Sequence, residues 1–157
     1  MHPTLSDFVK RYRKERLRMR ITLESDYALR IVTAIAESDG VVDAGTLSEK
    51  TLVTQRFTLK ILHKLVLGGL ILSYKGAKGG YKLAKSAEEI TLKNVIELID
   101  GPIAIARCVD SEEGCSLNCD KTACIYHHIF DTISLDLAKK LDRISIKDVI
   151  KRNYSLN

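Results

Sequence analysis

The four cysteines of the chain fall in one stretch, at Cys108, Cys115, Cys119 and Cys124, and His127 and His128 follow just beyond. Thiols gathered in this way, with none elsewhere in the sequence, point to a metal or cluster site. The gaps between them do not match the paired CxxC knuckles of zinc ribbons, so the cysteines alone leave the metal open. The elements that must position them decide the question.

A chain of 157 residues has the size of one domain and can bury roughly 70 per cent of the surface its unfolded form exposes. No run approaches the roughly 20 apolar residues of a membrane span, and the N-terminus carries charges where a signal peptide is apolar. The reading is a soluble cytoplasmic protein with no membrane partner, in which disulfides are disfavoured and thiols stay available as ligands. The net charge of +5 is unevenly placed. Residues 1–20 hold seven Lys and Arg against Asp7 and Glu15, while the remainder carries 18 basic and 18 acidic side chains. Basicity therefore says little about the body of the domain. The first 18 residues read as a basic N-terminal extension, because Met19 begins a stretch that looks like the start of a protein. Within that extension Leu5, Phe8, Val9, Tyr12 and Arg16 follow helical spacing.

From Leu23 to Ser38 the apolar residues Tyr27, Ala28, Ile31, Val32, Ile35 and Ala36 fall on one helix face, and Asp39-Gly40 ends the run. A short helix is predicted around Thr46 to Lys50. A third runs from about Gln55 to Leu67, with Thr54 as its N-cap, Phe57, Ile61, Leu62 and Leu65 inward, and Gly68-Gly69 as its C-cap. Residues 70–75 then read as a strand, 76–80 as a glycine-rich turn and 81–84 as the returning strand. Three helices followed by a hairpin make a winged helix-turn-helix over residues 19–102. It includes a fourth helix from Thr91, with Leu92, Val95, Ile96 and Ile99 inward, that Gly101-Pro102 stops. The fold class is thus mainly α with a small β-hairpin. A cysteine-rich loop occupies 103–122.

After it, Ile125, Ile129, Ile133, Leu137 and Leu141 recur at every fourth position, with Tyr126 and Phe130 in the adjacent row. Such a long C-terminal helix carries more apolar surface than one short neighbour covers, and an i±4 ridge favours a steep crossing with a two-fold related copy. Residues 123–152 accordingly read as a dimerisation helix followed by a short terminal helix at 145–151, and the partner as a second copy in a homodimer.

A helix-turn-helix places the N-terminal residues of its second helix in the major groove of double-stranded DNA while a wing lies along the backbone. Here those residues are Thr54, Gln55, Arg56 and Thr58, with Lys60 and Lys64 further along for phosphates. Arg reads guanine, Gln adenine, and Thr a phosphate or a thymine methyl. The wing contributes Tyr74, Lys75, Lys78, Tyr81 and Lys82, with glycines at 76, 79 and 80 that let backbone N–H groups approach phosphate. There is no Ser/His/Asp order, nucleophile elbow or P-loop, so the chain does not read as an enzyme.

Residues 19–30 (MRITLESDYALR), 78–84 (KGGYKLA), 89–102 (EITLKNVIELIDGP) and the cysteine loop together resemble the regulator family of IscR, NsrR and RirA, from Met19 to about Arg152. The resemblance implies a dimeric winged-helix transcription regulator with an iron-sulfur cluster, of either 2Fe-2S or 4Fe-4S type, held by three cysteines and a non-cysteine ligand. It makes Cys108 the first cysteine ligand and Cys124 the last, since Cys124-Ile-Tyr-His127 matches a Cys-x-x-His ending. Cys115 and Cys119 both stand for the middle role, and ligation by all four thiols is a further arrangement. For the outside ligand it offers two positions, Asp26, which the other subunit would donate, and His127. What it senses, whether iron, nitric oxide or redox state, stays open. Two alternatives stand beside it, a zinc-stabilised DNA-binding protein that senses nothing and a cluster-free relative that acts through a protein partner.

Overall fold

In the computed structural model, which describes residues 21–110 and 120–153, four of the helices start at a short polar side chain that caps them. Thr22 is extended and its Oγ1 accepts from the Ser25 amide at 3.1 Å, so α1 spans Leu23–Ala36. Asp43 caps α2, Ala44–Thr51, by accepting from the Thr46 amide at 3.0 Å. The turn into α3, Gln55–Leu67, puts Leu52 in the left-handed region at φ +57°. That conformation is strained for a γ-branched residue. It is held by the Val53 carbonyl, which accepts from Ser48 Oγ at 2.6 Å and from Thr58 Oγ1 at 3.3 Å. Thr54 occupies the N-cap of α3 but makes no side-chain capping bond, contrary to the expectation from sequence.

At the far end of α3, Gly69 is left-handed at φ +69°, its amide donates to Val66 and the Leu70 amide to Leu65, which closes the helix in a Schellman motif. The chain then enters the wing, β1 (Ile71–Tyr74) antiparallel to β2 (Gly80–Leu83), in the register Ile71 to Leu83 and Tyr74 to Gly80. Val42 bridges to Tyr81 by a reciprocal pair of backbone bonds and anchors the wing to the loop before α2. Gly80 is needed there, because a Cβ at this position would lie 2.5 Å from the Val42 carbonyl oxygen.

Helix α4, Leu92–Asp100, begins with a reciprocal capping box between Thr91 and Asn94. It is followed by the four-residue helix α5, Arg107–Asp110, then by α6, Ile125–Asp142, and α7, Ile146–Lys151, the last opened by a Ser145/Asp148 capping box. At 1.5 Å per residue α6 is about 27 Å long. Ile31, Val32 and Ile35 of α1, Leu47 of α2, Ile61, Leu62 and Leu65 of α3, Ile71, Ile90 and Val95 form one core. Each fully buried aliphatic side chain contributes about 1.5–3 kcal/mol. Ile146 of α7 is fully buried in that same core, and the Ile146 amide donates to the Ile90 carbonyl at 2.8 Å. The chain end is thus stitched onto the winged unit rather than onto α6. In α6 itself only Ser134 is buried. Among the described residues no helix is long and apolar enough to cross a membrane.

Candidate functional site

Three features of the sequence reading can be placed on this frame: the face of α3, the wing, and the thiol segment with its candidate outside ligands. On α3, Thr58, Ile61, Leu62 and Leu65 form the buried stripe. Thr58 is therefore not a base-reading residue. Its side chain is fully buried and its hydroxyl braces the turn by donating to Val53. Phe57 replaces it on the exposed side, 46 % accessible, and meets Tyr27 of α1 edge to face at 6.2 Å between ring centroids. Thr54, Gln55 and Arg56 are exposed at the N-terminal end of the helix, and Lys60 lies one turn further along.

Lys60 and Lys64 are not free cations. Glu24, in the first turn of α1, has Oε2 3.1 Å from Lys60 Nζ and Oε1 2.8 Å from Lys64 Nζ. The Lys60 contact is also a hydrogen bond, whereas Glu24 Oε1 has no well-aligned donor, so the Lys64 contact is an ion pair alone. Lys64 above all, and Lys60 after it, hold the Glu24 carboxyl below the usual carboxylate range against the opposing effect of burial. Sequence reasoning missed Glu24, whose acidity in a first helical turn is explained by the helix dipole before any distant partner is considered.

On the wing Lys75 and Lys78 are exposed at the turn and have no ion-pair partner among the described residues. Tyr81 corrects a second expectation. The alternation of β2 sends Tyr81 and Leu83 toward the core and Lys82 outward, so the Tyr81 ring is half-buried instead of facing a nucleic acid. Tyr74 on β1 is 46 % exposed and is the aromatic residue the wing presents to solvent.

Of the four thiols, Cys108 and Cys124 are described, and both are half-buried and free; Cys115 and Cys119 lie outside the described residues. Cys108 sits on α5, which packs against α6, and Cys124 is the N-cap residue of α6 without a side-chain capping bond. That position is the N-terminal, positive end of an 18-residue helix. One turn along α6, His127 has its Nδ1 buried with no hydrogen-bond partner among the described residues. An orphaned imidazole nitrogen three residues after a free cysteine supplies ligand types that fit a soft metal or iron-sulfur group. His128 differs, with Nε2 2.7 Å from the Thr122 carbonyl oxygen. Asp26 is on another element and ion-pairs with Arg30 of its own helix at 2.6 Å. Among the described residues no three His, Cys, Asp or Glu side chains gather as a metal site.

The segment bearing Cys108 is pinned at two points. Asp100, the last residue of α4, accepts from the Thr22 amide at 3.1 Å through Oδ2 and from Thr22 Oγ1 at 2.5 Å through Oδ1. The Ile105 amide donates to Ser134 Oγ at 3.1 Å, and Ser134 Oγ donates to Phe130 at 2.7 Å on α6. Between them opens a cleft of about 640 Å³ whose walls include Ile21, Ile96, Ile103, Leu137 and Leu141. The cleft runs onto the apolar ridge of α6, where Ile125, Ile129, Ile133 and Leu137 are 65, 44, 46 and 38 % exposed.

Comparison with known proteins identifies the frame. Residues 21–152 match the model of the Rrf2 family, described as iron-dependent transcriptional regulators. The chain is 25 % identical to the regulator NsrR of Oceanobacillus iheyensis over 140 residues, which cover 88 % of this chain and 94 % of that one. It is 27 % identical to the regulator IscR of Pectobacterium carotovorum over 141 residues, covering 88 % of this chain and 84 % of the relative. Its fold matches that of CymR, the global cysteine regulator of B. subtilis, with a TM-score of 0.69 at 19 % identity, covering 85 % of this chain and 98 % of that structure. With a winged helix-turn-helix, a thiol segment and a long C-terminal helix in this order, the chain belongs to the Rrf2 family and is a DNA-binding transcription regulator, not an enzyme.

Proposed function

We propose that the protein is a homodimeric regulator whose affinity for a double-stranded DNA operator is set by an iron-sulfur cluster, and that it acts in the cytoplasm, where both DNA and reduced thiols are found. The observation that carries this reading is the buried and unpartnered Nδ1 of His127, one turn after the free Cys124, on the helix against which the element bearing the free Cys108 packs. Cys108 and Cys124 would hold the cluster with Cys115, Cys119 or both. His127 is the outside ligand favoured within one chain, and Asp26 would reach a cluster only from a second copy and after releasing Arg30. The cluster would supply a redox- and iron-sensitive bond between the α4–α5 segment and α6.

The DNA-reading part is the exposed N-terminal end of α3, Thr54, Gln55 and Arg56, with Lys75 and Lys78 of the wing on phosphates. The second copy would cover the ridge of α6, where a row of apolar side chains stands in water with only Ser134 buried beneath it.

The deciding experiment is iron, sulfide and zinc analysis with visible spectroscopy on protein purified without oxygen. Stoichiometric iron and sulfide with a visible chromophore, lost in Cys108→Ser and in Cys124→Ser, is the expected outcome. Stoichiometric zinc, or full iron content in either variant, overturns the assignment.

A further inference from the structure

The DNA-reading helix carries cations that the same chain neutralises. At 3.6 residues per turn Arg56, Lys60 and His63 project within about 60° of one another on α3, opposite the buried stripe of Thr58, Ile61, Leu62 and Leu65. Lys60 thus stands one turn behind Arg56 in the middle of the outward face. Its ammonium is nevertheless drawn sideways to Glu24 at 3.1 Å, and Lys64 meets the other oxygen of the same carboxylate at 2.8 Å. Glu24 is only 21 % exposed, so the carboxylate is a fixed partner and not a wandering surface charge. Arg56, by contrast, has no ion-pair partner among the described residues, nor have Lys75 and Lys78 of the wing.

We infer that Glu24 is a specificity-determining residue: by occupying Lys60 and Lys64 it withholds two phosphate contacts from the recognition helix and lowers affinity for DNA of arbitrary sequence. Phosphate contacts supply nearly all non-specific binding and carry no sequence information, whereas groove contacts near Arg56 do. Neutralising cations behind the reading end therefore favours the operator over the excess of competing sites. A carboxylate held at the edge of that face also repels a phosphate that approaches without compensating base contacts.

This inference rests on α3 being the DNA-reading helix, and its test separates the two. Full-length protein, as purified without oxygen, is titrated by fluorescence anisotropy against a labelled mixed-sequence duplex of about 30 base pairs, at salt from about 50 to about 200 mM. Each freed cation that neutralises a phosphate steepens the salt slope by about 0.9, so Glu24→Gln should steepen it by up to about 1.8 and tighten binding at about 0.15 M salt by about 3- to 30-fold. Lys60→Ala should change non-specific affinity less than about twofold in the native background and remove about half of the gain in the Glu24→Gln background. Unchanged or weaker binding by Glu24→Gln with an unchanged slope would make Glu24 a brace between α1 and α3 and overturn the inference. So would a loss of several-fold in Lys60→Ala in the native background, a result that does not depend on how well Glu24→Gln folds. If neither native protein nor variant binds the duplex, the DNA-reading assignment of α3 fails and takes the inference with it.

Discussion

Replacing Ile133 by Glu on α6 should break the protein into monomers. The ridge formed by Ile125, Tyr126, Ile129, Ile133 and Leu137 is 38 to 67 % exposed in the single chain, which amounts to roughly two and a half whole side chains' worth of apolar surface per copy. In a two-fold pair the ridge counts twice. At about 2 kcal/mol per fully buried side chain the pair gains about 10 kcal/mol, and the cleft wall Leu141 adds to this, against an association cost of about 4–15 kcal/mol. Gain and cost are of the same size, so the proposed dimer has little to spare and should depend on each side chain of the ridge. Ile133, 46 % exposed in the isolated chain, contributes about 1 kcal/mol per copy and about 2 kcal/mol to the pair. Truncation to Ala should therefore raise the dimer Kd about 30-fold, and a carboxylate, which must also be desolvated twice, by about 1,000-fold or more. Leu135 is the internal control, because it is 52 % exposed on the opposite side of the same helix and Leu135→Glu should leave Kd unchanged. Sedimentation equilibrium over a range of protein concentrations reads all three. A native protein that stays monomeric at the highest concentration reached, or a Leu135→Glu variant as damaging as Ile133→Glu, would refute the reasoning.

Arg56→Ala should cost about 1–3 kcal/mol of operator binding and relax base preference at one position, read by competition among single-base operator variants; a loss uniform across sequences would make Arg56 a phosphate contact. Gly80→Ala should destabilise the wing, because the new Cβ would lie 2.5 Å from the Val42 carbonyl oxygen and 2.7 Å from its carbon, both backbone atoms that cannot step aside. The expected cost is about 1–3 kcal/mol, seen as a thermal midpoint lower by several degrees, and a midpoint equal to the native one would show that the bridge from Val42 to Tyr81 is not needed.

The elements were legible because period and punctuation agree in this sequence. Thr22, Asp43, Thr91 and Ser145 all precede helical runs and all cap them, and Gly69 ends α3 in the one conformation that glycine tolerates best. What the sequence left ambiguous was the rotation of α3. Phe57 and Thr58 compete for the inward side, and bulk favours Phe57, yet Thr58 completes the i, i+3, i+4, i+7 stripe with Ile61, Leu62 and Leu65. The hydroxyl it buries is satisfied by a carbonyl of the strained turn, a bond no local rule anticipates. Tyr81 was misplaced for a similar reason, since the β2 alternation is too short to phase without knowing which strand face meets α1. Glu24, Asp100 and Ser134 were illegible for a different reason. Their partners lie 36, 78 and 29 residues away, and only the fold brings them together.

Those distant contacts form a path by which a change at the thiols would reach the proposed DNA-reading helix. The segment from Asp100 to Asp110 is held by the Asp100 grip on Thr22 at one end, by Ile105 on Ser134 further along, and by the packing of α5 on α6. A cluster joining Cys108 to Cys124 would add a further bond between this segment and the head of α6. Its loss would leave the Thr22 and Ser134 pins, which connect the segment to the start of α1 and to α6. The start of α1 is the more consequential connection, because Thr22 caps the helix whose next turn, at Glu24, holds Lys60 and Lys64 of the DNA-reading helix. A shift that loosened this one carboxylate would alter both the seating of α3 and the number of cations it offers to phosphate. A coupling of about 1–3 kcal/mol, which changes affinity about 5- to 150-fold, needs no larger rearrangement than that.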